Sequence, residues 1–195
     1  MSRRRFPVIG LLVLALGIFI IGSASEAQAK QTSKQRARAK IRAMAKETLS
    51  HLYKIHPSAR TAITKSEGYA VFDDFGAHIF FLSTARGKGM AVNNRTKKET
   101  FMKMLSAGVG PGMGIKDYRI VFVFETKKSF REFTHVGLVL SAQADAAAKA
   151  GHEGGAFAGA IAVAPGVWLY QITEAGLALQ ATLQGMEYYK DHNLN

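Results

Sequence analysis

Ser66-Glu67-Gly68-Tyr69-Ala70-Val71-Phe72 is the stretch at which the spacing of apolar residues changes. Upstream, Ile41, Met44, Ala45, Leu49, Leu52 and Ile55 recur at three- and four-residue steps, the stripe of an amphipathic helix. Lys30 to Arg42 is dense in Lys, Arg, Gln and Ala, all good helix formers. The helix should end near His56, because Pro57 disfavours helix in the residue before it. Pro57 suits the first turn of a second, short helix, and Gly68 suits its stop. Downstream the period becomes two. Tyr69 to Phe72 predicts a strand, Asp73-Asp74-Phe75-Gly76 a turn, and His78 to Ser83 a second strand. Gly87-Lys88-Gly89 should break the chain before Met90-Ala91-Val92 resumes it. Asn93-Asn94-Arg95 predicts a hairpin turn, and Glu99 to Leu105 the next strand.

Further along, Gly108, Gly110, Gly112 and Gly114 fall on every second residue, which a strand places on one face. No G-x-x-x-x-G-K-[ST] or G-x-G-x-x-G pattern accompanies them, so close packing explains them better than phosphate binding. Ile120-Val121-Phe122-Val123-Phe124 lacks polar alternation and predicts a strand buried on both faces. Thr126 is placed to cap a short helix over Ser129 to Phe133, with Phe130 and Phe133 one turn apart. Leu138 to Ala148 is small on alternate residues, and Gly151 to Gly155 predicts a mobile loop. Ala158 to Ala164, Val167 to Ile172 and Gly176 to Leu183 read as three more strands, with turns at Pro165-Gly166 and Thr173-Glu174-Ala175. Tyr188 to His192 predicts a closing helical turn. The sum is α+β. N-terminal helices precede a curled antiparallel sheet, barrel- or sandwich-like, with one short inserted helix; it is not the β-α-β alternation of a nucleotide-binding fold.

The N-terminus has a different design. Arg3-Arg4-Arg5 precede an apolar run from Val8 to Ile21, and Ala27-Gln28-Ala29 supplies a small-x-small site. This is the layout of a secretory signal peptide over residues 1–29, cleaved after Ala29. Ser2-Arg3-Arg4-Arg5-Phe6 also matches a twin-arginine motif in part, so the export route stays open. A basic helix over 30–56 and a β-rich domain over 57–195 then follow.

The 195 residues carry 26 Lys and Arg against 14 Asp and Glu, a formal charge of +12. Cleavage removes Arg3, Arg4, Arg5 and Glu26, so the mature chain stays strongly basic. An exported basic protein meets phospholipid head groups and surface polymers, and export separates it from nucleic acid. The absence of cysteine excludes disulfides, a thiol nucleophile and a Cys-ligated metal.

Five blocks in order resemble the SYLF domain, a lipid-binding and actin-regulating family. They are Gly68-Tyr69-Ala70-Val71-Phe72, the alternating Gly108 to Gly114, Ile120 to Phe124 with the helix to Phe133, the small-residue run Ala142 to Ala148, and Gly176-Leu177-Ala178-Leu179 through Gly185 to Tyr188-Tyr189-Lys190-Asp191. The resemblance covers about residues 45 to 195. It implies a β-rich domain preceded by helices, and membrane lipid binding through a basic amphipathic helix. It also implies phosphoinositides as the ligands of eukaryotic members and export, often as lipoproteins, for bacterial ones. A chain without cysteine carries no such lipid anchor.

Candidate site residues follow from the basic helix. Lys34, Arg36, Arg38, Lys40, Arg42 and Lys46 are expected to contact an anionic phospholipid membrane, with Ile41, Met44 and Leu49 anchoring in lipid or docking on the sheet. No cofactor is expected. His51, His56, His78, His135, His152 and His192 form no metal-binding pattern. Asp73 and Asp74 read as turn residues, and Ser83, Ser106 and Ser129 lie in no nucleophile motif. Trp168, Tyr170, Phe80 and Phe81 read as core or as a membrane-touching patch. A non-enzymatic, periplasmic or secreted, peripherally membrane-associated protein is therefore expected. The alternatives are an envelope protein-interaction module and a carrier of one lipid inside the sheet. An outer-membrane barrel fits poorly with short strands and basic turns.

Overall fold

The computed structural model describes residues 9–79, 82–109, 119–140, 157–173, 176–178 and 185–195, without the side chains of 9–28, 74–79, 82–85, 106–109 and 177–178. Two compact units emerge, Met1–Ala39 and Lys40–Asn195. Helix α1 (Ile9–Ile55) contributes to both. It stops where expected, one residue before His56-Pro57. Helix α2 (Ser58–Lys65) starts after Pro57, whose missing N–H costs nothing at a helix start.

The remaining elements are β1 (Gly68–Ile79), β2 (Leu82–Asn93), β3 (Glu99–Val109), β4 (Arg119–Phe124), helix α3 (Lys127–His135), β5 (Leu138–Leu140), β6 (Ile161–Ala164), β7 (Val167–Thr173), β8 (Gly176–Ala178) and β9 (Met186–Lys190). The described strands form one antiparallel sheet in the order β5-β9-β3-β2-β1-β4-β7-β6, with β8 also paired to β7. This is the α+β architecture expected, with helices first and α3 inserted between strands.

The sheet is curled, and side-chain contacts show it. Tyr188 on β9 and Phe122 on β4 are separated by four strand-to-strand steps, which would place them about 19 Å apart on a flat sheet. Their ring centroids lie 4.8 Å apart. Phe72 also meets Tyr188 at 4.8 Å. Inside the curl, Phe72, Phe122, Phe124 and Tyr188 pack with Phe130 and Phe133 of α3. Thr126 caps α3 by accepting a hydrogen bond from the Ser129 N–H at 3.1 Å. Phe130 and Phe133, one turn apart on the capped helix, are both buried in this core.

Several local expectations fail. Asp73 to Gly76 is no turn, and Gly87 to Gly89 no break: β1 and β2 run straight through both, pairing from Gly68↔Asn93 to Ile79↔Leu82. The glycines serve close approach instead. A Cβ at Gly87 would lie 2.6 Å from the Asp73 carbonyl oxygen, and one at Gly89 would overlap the Phe72 ring and the Val71 carbonyl. Gly68 opens β1 rather than stopping α2, and a Cβ there would sit 2.6 Å from the Phe130 ring. Tyr188 to Lys190 belongs to β9, so the closing helical turn is also wrong. Ala158 and Gly159 lie in a turn before β6. Gly110, Gly112 and Gly114, Ala142 to Ala148, Gly151 to Gly155 and Leu179 to Leu183 lie outside the described residues.

Candidate functional site

Register places two buried layers on opposite faces of the sheet. The inner layer is the aromatic core. The outer layer is the cross-strand row Phe101–Met90–Val71–Val121–Tyr170, running over β3, β2, β1, β4 and β7. Every residue of that row is buried. The cover is the C-terminal half of α1, whose Ile41, Ala45, Thr48 and Leu52 recur at helical spacing and are themselves buried.

Polar contacts fix where the helix lies. At the β3 side, the Arg42 guanidinium donates to Glu99 through Nε at 2.9 Å and Nη2 at 2.7 Å. It also stands 5.4 Å from the centre of the Phe101 ring. At the β4 side, Arg119 donates to Glu47 at 3.0 Å. Beyond Ile55, the His56 ring lies 5.9 Å from that of Tyr170. The helix therefore crosses the outer row from β3 toward β7.

This geometry sorts the candidate residues. Ile41 is 4% exposed and docks on the sheet. Met44 and Leu49 are half-buried at the edges of the docked stripe, and Met44 receives the Thr48 hydroxyl at 3.6 Å. Arg42 is committed to Glu99, and the carboxylate's hydrogen bonds push the guanidinium pKa further up. Lys40 and Lys46 are exposed and ion-pair with no described carboxylate. Lys34, Arg36 and Arg38 lie in the Met1–Ala39 unit; Arg36 is exposed, while Lys34 and Arg38 are partly covered.

The other polar groups have structural partners. Asp73 points out of β1 and faces Arg119 at 4.0 Å. Ser129 donates its hydroxyl hydrogen toward the Thr126 and Gly166 carbonyls. His56 binds the Ala158 carbonyl through Nε2, which Ser58 also approaches at 2.8 Å. With its proton on the carbonyl, Nε2 is not a base for that serine. His51, His135 and His192 are exposed; the His78 side chain and His152 lie outside the described residues. No cluster of three metal-ligating side chains occurs among the described residues. Trp168 is half-buried and stacks on Phe157 at 4.9 Å, and Tyr170 is fully buried, its hydroxyl lacking a hydrogen-bond partner among the described residues. Phe80 and Phe81 lie outside the described residues. Among those residues, no helix is long and apolar enough to cross a membrane.

Sequence reasoning missed the Glu99 and Arg119 contacts. A Glu or Arg at a strand end carries no sign of which helix it faces.

No family model matches the chain. The chain is 38% identical over 164 residues to the bacterial "Beta cell expansion factor A" of Aeromonas veronii, a match that covers 84% of this chain and 60% of that protein.

Proposed function

We propose that the protein is a non-catalytic, exported, SYLF-like protein that associates peripherally with anionic phospholipid surfaces through the cations of α1. The observation that carries this reading is the division of labour on the helix. Its apolar stripe is spent on the sheet, yet Lys40 and Lys46 stay exposed, with Arg36 exposed further along. A docked helix does not insert, so the association is electrostatic. Each cation near such a surface contributes roughly 1 kcal/mol, and salt screens the interaction. The five sequence blocks and the strong excess of Lys and Arg point the same way. The lipid-carrier alternative draws no support from the interior, where phenylalanine and tyrosine rings pack against one another at 4.8 to 6.2 Å.

Co-sedimentation with vesicles tests the proposal. Phosphatidylcholine alone is compared with phosphatidylcholine containing phosphatidylglycerol, at low and high salt. The variant is Arg36→Glu, Lys40→Glu, Lys46→Glu. It spares Arg42, whose reversal would oppose Glu99 and confuse binding with stability. Binding selective for the anionic vesicles, sensitive to salt and lost in the variant is expected. Failure of the protein to bind either vesicle rejects the proposal and directs attention to an envelope protein partner.

A further inference from the structure

Lys97 has φ +58°, the one non-glycine residue with positive φ among those described. Glycine or asparagine adopts this conformation at lower cost. The turn around it is built rigidly. The Asn93 side-chain oxygen accepts from the backbone N–H of Arg95 at 3.1 Å and of Thr96 at 2.8 Å. Asn94 donates to the Ile63 carbonyl at 2.6 Å and the Ser66 carbonyl at 3.0 Å, which ties the turn to the end of α2. The left-handed residue closes the β2–β3 hairpin: the Lys97 N–H donates to the Asn93 carbonyl at 2.8 Å, and the Asn93 N–H donates to the Lys98 carbonyl at 3.0 Å.

The turn stands in a cationic setting. Gly68 pairs with both Asn93 and Phe124, so the α2–β1, β2–β3 and β4–α3 connections meet at one end of the sheet. They bring together Lys65, Arg95, Lys97, Lys98, Lys127 and Lys128, all exposed. Opposing charge there is thin. Glu99 is held by Arg42, which leaves Glu67, accepting from the neutral Asn93 amide at 3.0 Å, and Glu125 as the acids of these connections that face six cations. Among the described residues, only Lys128 of these six has a carboxylate within 4.0 Å, that of Glu132.

We propose that this end of the sheet, centred on the Asn93–Lys98 turn, is a second contact surface for anionic phospholipid head groups, with Lys97 among the exposed cations that meet them. The inference rests on the membrane-binding reading above and adds a face to it that the helix does not supply.

The test compares two double variants of the full chain on the same phosphatidylglycerol-containing vesicles. Arg95→Gln with Lys97→Gly removes two cations of the turn. Arg86→Gln with Lys88→Gln removes two exposed cations from β2, about 17 Å or more along the strand. At about five-fold per cation, the turn pair should weaken partitioning by about 25-fold, and the β2 pair should stay near wild type. The melting temperature of Lys97→Gly should be unchanged or higher, because glycine relieves the left-handed backbone. Lys97→Asn serves as a second neutral replacement and should give the same loss of binding. Wild-type affinity in the turn variants would overturn the inference while leaving the membrane reading intact. Equal losses in the two pairs would overturn it as well, showing diffuse charge rather than a surface. A wild-type protein that ignores anionic vesicles rejects both.

Discussion

Arg42 shows how one side chain's role changes with its surroundings. It stands among basic residues that would read as one solvated face, yet its fork geometry matches the Glu99 carboxylate. The pair is partly solvent-exposed, 48% for Arg42 and 30% for Glu99, so its contribution is modest. Arg42→Ala should lower stability by roughly 0.5–1 kcal/mol, measurable by denaturant unfolding. Tyr170 presents the opposite case. Burial pushes its phenol pKa from 10.0 up to about 12, and its hydroxyl has no described partner. Below pH 10 the phenol is neutral folded or unfolded. Between about 10 and about 12 the unfolded chain ionises while the folded one resists, so stability falls across that window. Tyr170→Phe should remove that part of the alkaline loss. At neutral pH it should be neutral or stabilising by up to about 1 kcal/mol, since it deletes an unsatisfied buried hydroxyl. Urea unfolding at pH 7 and at pH 11 checks both.

At the scale of elements, α1 and β2 carry the main lessons. Because Ile41 and Leu52 are buried on the docked face of α1, Leu52→Ala and Ile41→Ala should each destabilise the protein by about 2–5 kcal/mol, as buried truncations do. A helix resting only on lipid would show almost no change in melting without vesicles. In β2, Gly89→Ala would drive a methyl group into the Phe72 ring and the Val71 carbonyl. A loss of about 1–3 kcal/mol is expected, read as a lower midpoint of thermal unfolding. These glycines also explain the misplaced breaks. Gly87 and Gly89 look like punctuation in one dimension; in the sheet they are the sites at which a neighbouring strand or ring comes too close for a Cβ. Ile120 to Phe124 posed no such ambiguity, because five consecutive β-formers with no polar residue fit only a strand covered on both sides. Thr126 was equally legible, since a cap acts within three residues of itself.

For the whole molecule, charge and packing are segregated. Apolar side chains fill the curl and the layer under α1, and the excess of cations is left for the surface. Association with an anionic membrane should therefore track ionic strength. Reversing Arg36, Lys40 and Lys46 should abolish vesicle sedimentation while leaving the far-ultraviolet spectrum and the melting temperature near wild type. Truncating Phe122 should do the reverse, costing about 3–5 kcal/mol of stability without touching the cationic surfaces.

By itself the sequence determined the helix-then-sheet order, the position of the Pro57 boundary, the doubly buried strand, the cap of α3 and the basic character of the chain. Each is a local matter of period, propensity or count, acting over a few residues. Tertiary structure decided the rest. The curl that brings Phe122 against Tyr188, the docking of Ile41 on the outer row, the capture of Arg42 by Glu99 and the meeting of three cationic connections at one sheet end all join residues far apart in the chain. The physical reason is the register of the sheet. It sets which strands neighbour one another and which face each side chain takes, and it is fixed cooperatively by pairings that no short stretch of sequence contains.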